Sequence, residues 1–191
     1  MPLKTTIKVS HISNLSDARY CAGMGVEMLG FRVIPGKQDF MTPELFQDIR
    51  GWISGPRIIA ELYGLSDREQ VETAIQTYAP DYFELTYAEY RIFNEFLTLP
   101  CIVYFPAVSQ IESVSPDGKI LYLLTDENTT CRDLAATELP VLKTISSLHA
   151  LTESLTAGCY KGFVLKGPRE QRPGVTNYDE LGDILEALEE D

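Results

Sequence analysis

Eight short runs rich in β-branched, aliphatic and aromatic residues alternate with stretches of helical periodicity along the whole chain. The predicted strands are Thr6–Ser10, Glu27–Val33, Arg57–Tyr63, Asp81–Leu85, Cys101–Phe105, Ile120–Thr125, Val141–Thr144 and Gly162–Lys166. Most are nearly continuous in apolar residues, the pattern of a parallel strand covered on both faces. Eight such strands separated by helices, joined by right-handed crossovers, close on themselves, so the fold class is α/β and the architecture a compact (βα)8 TIM barrel. A chain of 191 residues lies just below the usual size of that barrel. Its connections must be short, and no large lid fits.

Helix signals agree with the strand pattern. Thr42-Pro43-Glu44 supplies an N-cap, a first-turn proline and an acid, with Leu45, Phe46, Ile49 and Ile53 on one face. Ser66-Asp67-Arg68-Glu69 reads as a capping box ahead of Val71, Ala74, Ile75 and Tyr78. Asn177 with Glu180 opens a last helix whose stripe is Leu181, Ile184, Leu185 and Leu188. The acidic run Glu186–Asp191 opposes the helix dipole, so its last turn is expected to fray. Val108–Val114, with its serines, reads as a single turn or a loop, and Trp52 as helix–sheet packing. No linker or composition shift divides residues 1–191, which read as a single domain.

Composition narrows the partners. Sixteen basic against 28 acidic residues give a net charge of −12, a surface that repels nucleic acid and anionic lipid. No apolar run reaches the ~18 residues of a membrane span, and the N-terminus lacks the pattern of a signal peptide. The four cysteines, Cys21, Cys101, Cys131 and Cys159, form no CxxC pair and read as reduced. The two histidines, His11 and His149, are far apart in sequence, so no metal is expected, nor any other cofactor. The expectation is a cytoplasmic protein with a small-molecule ligand at the barrel mouth, as a monomer or a homodimer.

Particular residues add a resemblance. The segment Ile7–Arg19, continuing to Gly25–Phe31, reads as strand, capped helix and strand. Within it Lys8-Val9-Ser10-His11 stands where phosphoribosylanthranilate isomerase, a barrel enzyme of tryptophan biosynthesis, has Lys-Ile-Cys-Gly. Thr42-Pro43-Glu44 resembles that family's Ser-Pro-Glu, Asp81–Leu85 its Asp-Ala-Val-Gln-Leu, and Pro173-Gly174-Val175-Thr176-Asn177 its Pro-Gly-Val-Lys-Asp. The resemblance implies acid–base isomerisation of a phosphoribosyl amine. It calls for a cysteine base ending strand one, an aspartate acid ending strand six and backbone phosphate nests after strands seven and eight.

The chain departs from that set. Ser10 replaces the base, and a hydroxyl needs its own activating partner to act like a thiolate. His11, next along a strand, is expected to point to the opposite face. Asp126 is the candidate acid, although strict alignment falls on Thr125; Asp39 replaces an arginine. The glycine pair after strand seven becomes Ile145-Ser146, and the turn after strand eight Lys166-Gly167-Pro168, changes expected to impair a phosphate cradle. Isomerase activity is therefore expected to be lost or altered. At the strand ends stand Arg32, Glu61, Glu84, Lys143 and Lys166, charges that must be paired or wet. They make either a salt-bridge cluster or a substrate-binding pocket. The alternatives are a noncatalytic metabolite- or protein-binding barrel, or an enzyme using Lys143 or Lys166 as an imine-forming amine.

Overall fold

The computed structural model describes residues 3–114, 117–168, 170–172 and 175–189. Its parallel strands close into an eight-stranded barrel in sequence order. They are β1 (Thr6–Ser10), β2 (Met28–Arg32), β3 (Arg57–Glu61), β4 (Tyr82–Thr86), β5 (Cys101–Tyr104), β6 (Ile120–Thr125), β7 (Val141–Thr144) and β8 (Gly162–Lys166). Closure is made by β1 against β8, from Thr6 opposite Gly162 to Ser10 opposite Lys166. A Cβ at Gly162 would lie 2.1 Å from the Thr6 carbonyl oxygen, so only glycine admits that approach.

Among the described residues six α-helices cover the barrel: α1 (Leu15–Gly23), α2 (Pro43–Arg50), α3 (Arg68–Tyr78), α4 (Tyr87–Phe93), α5 (Leu148–Ala157) and α6 (Asp179–Glu186). Thr42 caps α2 by accepting from the Leu45 amide. The cap of α3 is Asp67, which accepts from Gln70, one residue beyond the expected Ser66–Glu69 frame. Val108–Ser113 is a 3-10 turn, and Cys131–Leu134, after β6, is another. A short antiparallel pair, Glu170–Arg172 with Val175–Thr176, follows β8. Among the described residues no helix is long and apolar enough to cross a membrane.

Period-two alternation splits the apolar residues into two cores. Ile7, Val9, Leu29, Phe31, Ala60, Phe83, Leu85 and Val103 pack outward against the helices. Met28, Ile59, Ile102, Leu124, Leu142 and Val164 fill the barrel itself. Those inner residues set the parity of everything at the mouth.

Three expectations are corrected by this packing. Trp52, just past α2, is 70% exposed rather than packed on the sheet. The C-terminal turn does not fray through Leu188: that side chain is fully buried, its carbonyl accepts from Lys4, and Leu3 bridges Glu189. Glu190 and Asp191, like Pro173 and Gly174, lie outside the described residues. Cys131 and Cys159 are disulfide-bonded, while Cys21 and Cys101 are buried free thiols. With only a 3-10 turn after β6, the Cys131 segment lies against the end of α5, and Tyr160 donates to the Thr129 carbonyl. Closing a loop 28 residues apart stabilises by about 3–4 kcal/mol. Disulfides are uncommon in cytosolic proteins, so the bond weighs against the expected cytoplasmic setting.

Candidate active site

Lys8 enters the barrel from the middle of β1 and is fully buried. Its ammonium donates to Glu61 Oε1 at 2.6 Å and to Ser10 Oγ at 2.5 Å. Glu84 Oε2 lies 2.8 Å away, off the line of a well-directed hydrogen bond. Tyr63 donates to Glu84 Oε1 at 2.7 Å. The room for this cluster comes from Gly30: a Cβ there would stand 2.1 Å from Glu61 Oε1 and 2.8 Å from Lys8 Nζ. Glu61 and Glu84 face each other across adjacent strands, so one cation serves two carboxylates.

The electrostatics follow from that sharing. Burial pulls the Lys8 pKa down, but Glu61 and Glu84 together outweigh it and hold the ammonium above its usual value. Burial likewise opposes charge on Glu61, yet Lys8 keeps it below the usual carboxylate range. For Glu84 burial prevails: Lys8 offsets it only in part, Glu61 repels it, and its pKa is raised. Burial, then Glu84, pushes Tyr63 well up, so it stays a donor.

His11 does not follow the alternation expected of a strand. Its φ of +59° ends β1 in a left-handed residue and turns the imidazole back toward the mouth. His11 Nε2 lies 2.9 Å from Arg32 Nη2 and 3.8 Å from Glu61 Oε2. Burial, helped by Arg32 and Lys8, overrides the pull of Glu61 and keeps this pKa below the usual histidine value, hence neutral at pH 7. A neutral ring accepting from Arg32 at Nε2 carries its proton on Nδ1.

A second polar region lies across the ends of β6 to β8 and the start of α6. It is a cleft of about 670 Å³ lined by Asp126, Glu127, Ser146, Lys166, Asp179 and Glu180, among others. Asp126 is in phase with the inward Leu124 and accepts from Tyr104 at 2.9 Å; Thr125 is fully buried. At the N-terminus of α5, where backbone amides favour an anion, the Glu127 carboxylate accepts from the Ser146 amide (3.2 Å) and contacts Ser146 Oγ (2.8 Å). The Gly167 amide donates to the Ser10 carbonyl at 2.7 Å. Ile145 packs in the outer core and also contributes to the cleft wall, so Glu127 is the charged obstacle to an incoming anion. Glu127→Ala is expected to strengthen inorganic phosphate binding here roughly tenfold or more, because a like charge is removed. A titration with no gain over the unmodified protein would sink this reading of Ser146.

The sequence candidates thus fall into separate places. Ser10, Arg32, Glu61 and Glu84 belong to the cluster under β1 to β4; Asp126 and Lys166 line the cleft. Lys143 joins neither. Alternating with the inward Leu142, it faces the helices, its ammonium 4.8 Å from the Tyr160 ring centroid. Lys8, His11 and Glu127 take part although none of them was a candidate. Lys8 shares the parity of Ser10 on β1, which was the available signal.

These residues define a (βα)8 barrel with a charged interior layer and a polar mouth. The solved structures it is similar to narrow that class. Phosphoribosyl anthranilate isomerase from Thermus thermophilus is 21% identical, with coverage of 96% of this chain and 98% of that one and a TM-score of 0.74. TrpF from Jonesia denitrificans is 13% identical, with 96% of each chain covered and a TM-score of 0.76. Phosphoribosyl anthranilate isomerase in complex with reduced 1-(o-carboxyphenylamino)-1-deoxyribulose 5-phosphate is 12% identical over 95% of this chain and 97% of that one, TM-score 0.74. At such identities the likeness establishes the fold. No protein-family model and no curated protein sequence matches the chain.

Proposed function

We propose that this chain is a small-molecule-binding barrel on the phosphoribosylanthranilate isomerase scaffold that does not carry out that isomerisation. One observation carries the reading: Ser10 Oγ, at the place of the family's base, accepts a hydrogen bond from the Lys8 ammonium. A serine becomes a base or nucleophile when a neighbour takes its proton, and Lys8 holds its own proton more tightly than a free lysine. His11 offers no substitute, because its Nε2 lone pair faces Arg32. The amides nearest the family's phosphate position, Ser146 and Gly167, bond to Glu127 and Ser10.

The imine-forming alternative is weakened by the placement of its lysines. Lys143, whose pKa burial lowers, is turned to the helices, and Lys166 reaches the cleft from an exposed position. The proposed partner is a polar metabolite at the mouth.

Purified protein given phosphoribosylanthranilate is expected to show no conversion above background. Ser10→Cys alone is expected to leave it inactive, since the thiol would meet the same ammonium and the same filled amides. General acid–base catalysis by one group contributes about 10²- to 10⁴-fold. A gain of that size in Ser10→Cys would overturn the proposal.

A further inference from the structure

Among the described residues no α-helix stands between β6 and β7; residues 126–134 lie there instead, as a strap against α5. Two successive turns stiffen the strap. The Thr129 amide donates to the Asp126 carbonyl at 3.1 Å, and Thr130 with Asp133 caps the 3-10 turn Cys131–Leu134. Glu127 fastens the strap at the N-terminal end of α5, accepting from the Ser146 amide at 3.2 Å and its hydroxyl at 2.8 Å. At the other end Tyr160 donates to the Thr129 carbonyl at 2.6 Å, and Cys131 is bonded to Cys159, just past the Gly158 cap of α5.

The disulfide is the one of these fastenings that thermal motion cannot open. Leu134 is the apolar side chain that the strap buries in the core, whereas Asp126, Asn128, Thr130 and Arg132 are exposed. With the bond intact Cys131 stays on α5, and Glu127, joined to it through both turns, stays at Ser146. Without it the strap is held by Leu134 and a few hydrogen bonds, each of modest net strength in water. Segments with few buried contacts and exposed hydrogen bonds are the ones that open locally. The bond is also within reach of a reductant, since Cys159 is exposed and Cys131 half-buried. Cys21 and Cys101 take no part in exchange: both are fully buried, and burial pushes their thiols up to about 12.

We propose that the Cys131–Cys159 bond is a redox latch on the cleft. While the bond is formed, Glu127 occupies the amide end of α5. Reduction releases the strap, and that end, with Lys166 in the same cleft, opens to an anionic group of the ligand. The reductant is a dithiol. One of its thiolates attacks the exposed Cys159 sulfur, forming a mixed disulfide as Cys131 leaves as a thiolate. The second thiol of the reductant then closes its own disulfide and releases Cys159. Two electrons and two protons pass to the protein, and the dithiol is oxidised to a disulfide. The inference rests on the ligand-binding reading above and adds the regulation of that site.

The test is an inorganic phosphate titration of the intact protein, followed by NMR at the Ser146 amide, before and after treatment with dithiothreitol. A thiol assay without denaturant is expected to find no reactive cysteine before treatment and Cys131 and Cys159 after it. The Ser146 amide is expected to shift on reduction and phosphate affinity to rise about tenfold, the scale of one hydrogen bond to a charged group. Cys131→Ser is expected to bind phosphate like the reduced protein, with or without dithiothreitol. Glu127→Ala is expected to bind it equally in both states, since the group that the latch controls is gone. Release of both thiols with either the Ser146 amide or the affinity unchanged overturns the inference, as does a rise on reduction that persists in Glu127→Ala. A bond that the native protein does not yield to dithiothreitol overturns it too. So does loss of amide dispersion in both the reduced protein and Cys131→Ser, because the bond is then a staple for the whole fold. None of these results touches the proposed loss of isomerisation, which the Ser10→Cys assay tests by itself.

Discussion

Lys8→Met is expected to destabilise the fold by about 3–5 kcal/mol, the scale of removing one partner from a buried ion pair. Methionine nearly matches lysine in length, so the loss is electrostatic rather than a cavity. Glu61 and Glu84, both buried to within 1% and paired with each other across β3 and β4, are left without a counter-charge. The pH dependence should then change sign. In the unmodified protein Glu61 has a depressed pKa and Lys8 a raised one. The first contributes stability above the unfolded carboxylate pKa that is lost as pH falls through the depressed value. The second contributes stability below the unfolded lysine pKa that is lost as pH rises through the raised value. Glu84, already raised, works in the opposite sense to Glu61.

Without Lys8 both carboxyls have raised folded pKa values, so the native state binds protons more tightly than the unfolded state and stability falls as pH rises. Urea denaturation across the acidic-to-neutral range should therefore show the deficit of Lys8→Met shrinking toward low pH. Adding Glu61→Gln and Glu84→Gln should restore much of the loss at pH 7, because no buried charge remains. A Lys8→Met deficit that is independent of pH would mean the cluster is not ionised as described.

The barrel was legible because its two periodicities are local. Apolar runs such as Ile120–Thr125 and Gly162–Lys166 end in the structure at the residues where their patterns end in the sequence. The Thr42-Pro43 start of α2 is a capping contact over three residues. The site was only half legible, since it depends on parity and on contacts across strands. Glu61 and Glu84 announced themselves as charges in apolar company, whereas Lys8, two residues before Ser10, read as part of a motif. Parity alone would have placed it inside. His11 broke parity through one positive φ, in the position where the resembled family carries glycine. Lys143 misled because its strand end was readable and its facing was not. The Cys131–Cys159 bond depends on the missing helix after β6, and no spacing rule reports an absent helix.

Gly30→Ala is expected to be nearly as damaging as loss of Lys8, although it adds a single methyl group. That methyl would stand 2.1 Å from Glu61 Oε1 and 2.8 Å from Lys8 Nζ, distances that carbon cannot keep from either atom. Since Lys8 Nζ and Glu61 Oε1 are bonded to each other at 2.6 Å, relief requires pulling that pair apart. β2 cannot move aside, because Gly30 is paired with Ile59 in the ladder and its carbonyl accepts from Ile12. The cost should approach the roughly 3–5 kcal/mol of a broken buried pair.

A double-mutant cycle separates this from generic overpacking. In the Lys8→Met background the ion pair is already gone and the flexible methionine can yield, so Gly30→Ala should cost about 1–3 kcal/mol less than it does alone. Strict additivity would show that Gly30 serves only the packing of β2. Coupling of that size would identify it as the residue whose missing side chain makes room for the charged layer.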